Sequence, residues 1–132
     1  MLLGEYRLSL DRAGRFSLPV GIRHALHELY TPEDTTLIGT TFYDRCLVYY
    51  PRAEWLSAKE TLHRKGACPA LIRCFRYRAA LCPLDRQGRV YVPPQFRQYA
   101  AIDRDVLLIG LVKLLELWSP QQWEAYAADE VW

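Results

Sequence analysis

The sequence has little net charge, no long apolar run and no cysteine pair at metal-binding spacing, and each lack removes a class of function. Lys and Arg total 17 against 15 Asp and Glu, a formal balance of +2. No overall positive field announces a nucleic-acid partner, so any basic surface must be local. No stretch approaches the roughly 18 apolar residues that a membrane span needs. Glu5 and Arg7 also interrupt the N-terminal MLLGEYRLSLD before a signal-peptide core forms. The four cysteines, Cys46, Cys68, Cys74 and Cys82, include no C-x-x-C pair and have no histidine cluster beside them, so neither a metal nor another cofactor is expected. The expectation is a cytoplasmic protein with reduced thiols, most of them filling core space as small hydrophobes. What is present is ordinary for a folded domain: 51% hydrophobic and 24% charged residues, seven Gly and eight Pro among 132 residues. That composition excludes a disordered tail, a collagenous repeat and a coiled-coil rod. A chain of this length buries about two thirds of its unfolded surface, enough for one compact domain or two small halves sharing a core.

The chain repeats itself. DRAGRFSLP at 11–19 and DRQGRVYVP at 85–93 match at Asp, Arg, Gly, Arg and Pro with an offset of 74 residues. The offset persists where Ile22-Arg23 corresponds to Phe96-Arg97, and LVYYPRAEW at 47–55 resembles LELWSPQQW at 115–123 with an offset of 68. The first copy therefore carries about six extra residues between its helix and its later strands. Three landmarks recurring in one order point to two homologous halves, whereas a single D-x-x-G-R is a weak signal. The division expected is a first half over 1–65, a connecting helix over 66–79 and a second half over 80–132.

Each half reads as strand, tight turn, strand, helix, then a pair of strands and a final helix. Leu8 and Leu10 alternate with polar residues up to Asp11, a turn follows at Arg12-Ala13-Gly14, and alternation resumes through Phe16-Ser17-Leu18 until Pro19 stops it. Gly14 supplies the positive φ of such a turn, and Asp11 hydrogen-bonds its own turn backbone. Ile22, Leu26 and Leu29 form the stripe of a short helix. Thr36–Thr40 and Cys46–Tyr50 read as a hairpin around Tyr43-Asp44-Arg45. Pro51 opens a helix with Trp55, Lys59 and Leu62 on one face, broken at 65–69. Leu71, Cys74, Phe75 and Arg78 suit the connecting helix. The second half then runs as a strand to Leu84, a turn at Arg86-Gln87-Gly88, a strand Val90–Val92 and a helix from Pro94. Strands over Val106–Gly110 and Leu114–Trp118 flank a turn at Leu111-Val112-Lys113, and a last helix from Pro120 places Trp123 and Ala127 on one face.

The D-x-x-G-R-x-x-x-P motif, present twice, resembles the MraZ family, whose halves each look like an AbrB-type swapped-hairpin unit. The likeness takes in Gly4-Glu5-Tyr6, the junction Leu47 to Trp55, Asp85-Arg86-Gln87-Gly88-Arg89 and the ending Glu116-Leu117-Trp118. The resemblance implies an α+β fold in which two tandem swapped-hairpin units form one pseudo-twofold β-barrel with short peripheral helices. It further implies a ring-shaped homo-oligomer that binds double-stranded DNA at short promoter repeats. Such a protein would be a nucleoid-associated repressor of the division and cell-wall gene cluster, with no membrane partner and no small-molecule substrate. Three departures stand out: Ala13 replaces the usual Lys of the first motif, Leu111-Val112-Lys113 is an unusually apolar turn, and Pro83 places the strand before Asp85 at an edge or a bulge.

The residues themselves nominate the same place. A turn that projects Arg12 and Arg15 from one half, and Arg86 and Arg89 from the other, offers planar donors that fork onto guanine O6 and N7 or clamp phosphates. Arg15 and Arg89 are the expected base or phosphate grips, Arg12 and Arg86 the supporting contacts, and Asp11, Gly14, Asp85 and Gly88 the turn formers. The plainer alternative pairs these arginines with Asp11, Asp85 or neighbouring acids. Against it stands the repetition, since a turn needs only Gly there and no packing job for a guanidinium is evident. Arg23 and Arg97 recur too and rank second. Four Trp and nine Tyr fit a core or a subunit interface better than base stacking. An enzyme built from His24, His27 or His63 with Cys46 or Cys74 lacks any nucleophile elbow, P-loop or zincin spacing. An antitoxin or a protein-interaction module remains the competing class.

Overall fold

The computed structural model describes every residue except 33, 42–44, 131 and 132, and every side chain except these and 71, 74–76 and 130. Among the described residues the order is β1 (Leu2–Ser9), β2 (Arg15–Ser17), α1 (Val20–Leu29), β3 (Leu37–Thr41), β4 (Leu47–Pro51), α2 (Arg52–Arg64), α3 (Pro69–Tyr77), β5 (Ala80–Cys82), β6 (Arg89–Tyr91), α4 (Pro94–Tyr99), β7 (Asp105–Val112), β8 (Leu115–Trp118) and α5 (Pro120–Glu130). Pro19, Pro51 and Pro93 sit at the N-caps of α1, α2 and α4 with φ between −54° and −57°. Their rings end the preceding extended segment and set the angle at which each helix leaves. None of the described helices is long and apolar enough to cross a membrane.

Two antiparallel layers carry the fold. Six strands run in the order β1-β7-β8-β4-β3-β5, and β2 pairs β6 in a separate ladder. Exchanging each strand for its partner in the other half reverses that order, so the topology has pseudo-twofold symmetry. The registers agree: Ile38 opposite Tyr50 corresponds to Leu107 opposite Trp118, and Leu37 opposite Cys82 to Val106 opposite Leu8. The pairings β1·β7, β2·β6, β3·β5 and β4·β8 all join one half to the other.

The main core lies between the β2·β6 ladder and the six-stranded sheet. Phe16, Leu18, Val90 and Val92 meet Leu47, Tyr49, Leu108, Leu115 and Leu117 there, with Ile22 and Leu26 of α1 and Phe96 of α4 closing the side. The opposite sheet face is covered by the other helices. Trp55 of α2 packs on Ile38 and Tyr50, while Trp118 and Leu107 receive Trp123 and Tyr126 of α5.

Several expectations need correction. The first strand starts at Leu2 rather than near Leu8, and it pairs with β7 of the other half rather than with β2. Leu111 and Val112 are strand rather than turn, because Leu3 and Leu2 pair with them; the reversal narrows to Lys113 and Leu114, with Val112 at φ 72°. The second half's first strand stops at Cys82, and Leu84 lies beyond it. As expected, Pro83 follows an edge strand, β5. Of the hairpin turn at 43–45, only Arg45 lies within the described residues. Cys46 and Cys82 are buried as expected, but Cys68 is exposed, and the Cys74 side chain lies outside the described set.

Candidate nucleic-acid interface

The two D-x-x-G-R turns are built alike, bond for bond. The Gly14 N–H donates to the Asp11 carbonyl at 3.0 Å, and the Gly88 N–H to the Asp85 carbonyl at 3.0 Å. Asp11 Oδ1 accepts from the backbone of Ala13 and Arg15, both at 2.9 Å, while Asp85 Oδ1 accepts from Gln87 at 2.9 Å and Arg89 at 2.8 Å. Arg15 Nε then donates to Asp11 Oδ2 at 3.0 Å, and Arg89 Nε to Asp85 Oδ2 at 2.7 Å. The backbone N–H of Arg15 holds the Asp11 carboxyl below its ordinary value, aided by the Arg15 guanidinium; Arg89 does the same to Asp85. Both aspartates are thus fixed as anions by the turn they organise.

The pair of turns is also one unit. Leu18 N–H donates to the Gly88 carbonyl at 2.9 Å and Val92 N–H to the Gly14 carbonyl at 2.8 Å, extending the β2·β6 ladder at each end. Arg15 Nη1 lies 3.8 Å from Asp85 Oδ2. Each turn is further buttressed by an arginine from the opposite half. A Cβ on Gly14 would stand 3.3 Å from Arg97 Cζ, and one on Gly88 would stand 2.9 Å from Arg23 Cδ. Arg23 Nη2 also donates to the Arg86 carbonyl at 3.0 Å. Glycine is called for by the φ of +81° and +74°, and its bare Cα leaves room for the arginine laid against each turn.

The four predicted arginines divide by role. Arg15 and Arg89 are half-buried and ion-paired with Asp11 and Asp85, which is the plainer arrangement weighed from the sequence. Their Nε bonds close the turns, so a guanidinium there does have a structural job. Arg12 and Arg86 are exposed, and neither side chain makes an ion pair or hydrogen bond among the described residues. Sequence reasoning underrated Arg23 and Arg97; the signal available was their recurrence at the same offset of 74. The first turn also borders a cleft of about 570 Å³ where Arg12, Arg97 and Arg104 come together with Asp11 and Asp103. His24 lies on an exposed helix edge, 2.9 Å from Glu28.

Comparison with known proteins fits this construction. A family model described as "MraZ protein, putative antitoxin-like" matches residues 76–130. A protein of Natranaerobius thermophilus named "Transcriptional regulator MraZ" is 35% identical over 130 residues, covering 96% of this chain and 86% of its own. The chain belongs to the MraZ family. MraZ relatives of the same name in Heliobacterium modesticaldum and Desulfitobacterium hafniense are 34% and 35% identical, each match covering 96% of this chain and 86% or 87% of the relative. Matches that cover 96% of the chain take in both turns.

Proposed function

We propose that this MraZ-family chain is a transcriptional regulator that binds double-stranded DNA sequence-specifically through its two paired turns. The observation that carries the reading is their identical construction side by side, with Arg12 and Arg86 exposed and unpaired at the tips. The Nε bonds to Asp11 and Asp85 orient Arg15 and Arg89, whose terminal nitrogens would fork onto a guanine edge or a phosphate, Arg15 giving up its 3.8 Å contact with Asp85 to do so. Arg12 and Arg86 supply phosphate contacts. The small net charge is offset by assembly, because each copy in a ring-shaped homo-oligomer adds phosphates along the duplex and steepens the salt dependence by about 0.9 per phosphate. The finer reading comprises a sheet and ladder closed into one pseudo-twofold barrel, the halves 1–65 and 80–132 joined by 66–79, and a nucleoid-associated repressor of the division and cell-wall gene cluster acting at short promoter repeats.

The test is a gel-shift titration against the DNA upstream of the gene and against scrambled duplex, at several salt concentrations. The double variant Arg12→Ala/Arg86→Ala leaves every turn bond in place, so it should assemble and melt like wild type while losing roughly tenfold or more in affinity with a flatter salt slope. Arg15→Lys and Arg89→Lys keep the charge but lose the Nε bond and the planar fork, and should lose discrimination between the two duplexes. Wild-type binding by the double variant and both lysine variants would sink the reading. In that outcome the turns serve as a protein-contact surface, the antitoxin-like alternative.

A further inference from the structure

The pseudo-symmetry breaks at the sheet edges, and a cavity opens at one of them. In the first half β1 continues along β7 to Leu2, so that Gly4 pairs with Gly110. A Cβ on Gly110 would stand 2.6 Å from the Leu2 carbonyl oxygen, so no space remains. In the second half β5 begins only at Ala80, opposite Gly39. The residues corresponding to Leu3 and Gly4 are Tyr77 and Arg78, which leave the sheet instead of pairing. The space so vacated is a cavity of about 700 Å³, bounded by Arg45, Arg78, Gln95, Gln98, Tyr77 and Tyr99.

Among the described residues that line it, the charged groups are both arginines. Arg45 and Arg78 place their guanidinium carbons 5.2 and 5.6 Å from the centroid of the same Tyr99 ring. Neither makes a salt bridge among the described residues; the one polar bond between them is from Arg78 Nη1 to Thr41 Oγ1, at 3.5 Å. No carboxylate lines the cavity among the described residues. Both guanidinium groups line the same cavity, and a multivalent anion bound there would accept charge-assisted hydrogen bonds from them. Arg45 is held at φ 60°, a costly conformation for a side chain of its size. The volume falls within the range of small-molecule sites, and amide side chains stand at the rim to orient a ligand.

We propose that this cavity is a binding site for a small phosphate-bearing anion, held by Arg45 and Arg78. The site is separate from the paired turns and does not depend on their reading as a DNA surface. Titration calorimetry with pyrophosphate at low chloride tests it on the full-length protein. Saturable binding is expected, weakened at least tenfold in Arg45→Gln and again in Arg78→Gln, while Arg12→Ala binds pyrophosphate like wild type. Thermal melting and light scattering on each variant show that fold and assembly are intact. No saturable binding, or binding untouched by both glutamine substitutions, would overturn the assignment. A changed subunit number in either variant without pyrophosphate binding would instead give the arginines to an acidic group of a second copy. Weakened duplex binding without pyrophosphate binding would give them to the DNA backbone.

Discussion

The two halves agree where they meet and differ where they end. Within the paired turns the bonds of one half recur in the other, from the Asp-to-Gly backbone bond to the Nε clasp, and an arginine of the opposite half lies against each glycine; among the described residues only Arg23 adds a hydrogen bond, to the Arg86 carbonyl. At the sheet edges β1 runs eight residues along its partner and β5 runs three. The turns share one constraint, a left-handed glycine beside an anchored aspartate, and only a narrow set of residues satisfies it. An edge strand answers to one neighbour alone, so its length drifts at little cost to the core. Repetition is kept at the centre of the pseudo-dimer, and the asymmetry that opens the cavity lies at the rim.

The difference between halves is sharpest in their outer helices. Trp55 and Trp123 occupy corresponding positions, but Trp55 is 8% exposed against Ile38 and Tyr50, whereas Trp123 is half-buried, its ring centroid 5.3 Å from that of Trp118. Trp55→Ala should cost about 3 to 4 kcal/mol in urea unfolding and Trp123→Ala about half that, since the latter surrenders less buried area. Equal losses would show that the helices cover the sheet equally. The edges give the next effect. Gly110→Ala forces a methyl onto the Leu2 backbone, which has no rotamer to yield, and should cost about 2 to 3 kcal/mol, with hydrogen exchange rising first along β1 and β7. Wild-type stability for that variant would mean that β1 is free to leave β7, as Tyr77 and Arg78 leave β3.

The smallest effect concerns the turns, where the halves should behave alike. Asp11 and Asp85 are held below their ordinary 3.8 in the folded chain. Their ionised forms therefore contribute stability that is fully present above that value and lost as pH falls below it. Asp11→Asn and Asp85→Asn should each be less stable than wild type at about pH 6 and converge on it in acid. Asp85→Asn should show the larger gap, because Asp85 also faces Arg15 at 3.8 Å. A gap that persists unchanged at about pH 3 would show that the turns rest on their backbone bonds alone.

Much of this was legible in the residues. The offset of 74 located both turns, and their aspartates and glycines do what their chemistry predicts. The proline-led helices and the strands at Leu47–Pro51 and Leu115–Trp118 follow from apolar periodicity and from residues that cannot continue a strand or helix. β1 was harder to read, because Leu3, Gly4 and Glu5 are all exposed and give no alternation. Its strand character comes from hydrogen bonds to β7, about a hundred residues along the chain. Leu111 and Val112 were misread for the same reason, as their partners lie at the far end of the sequence.

The sequence by itself determined the repeat, the turn chemistry and the family, because each is written in local spacing and in residue types with few substitutes. Only the tertiary structure decided which strands pair and what the arginines do. Swapping between halves cannot be seen in a strand that would look the same paired with its own neighbour. A guanidinium written beside glycine is equally suited to water, DNA or a carboxylate, until the chain closes and sets Asp11 against Arg15, Asp85 against Arg89, and leaves Arg12 and Arg86 outside.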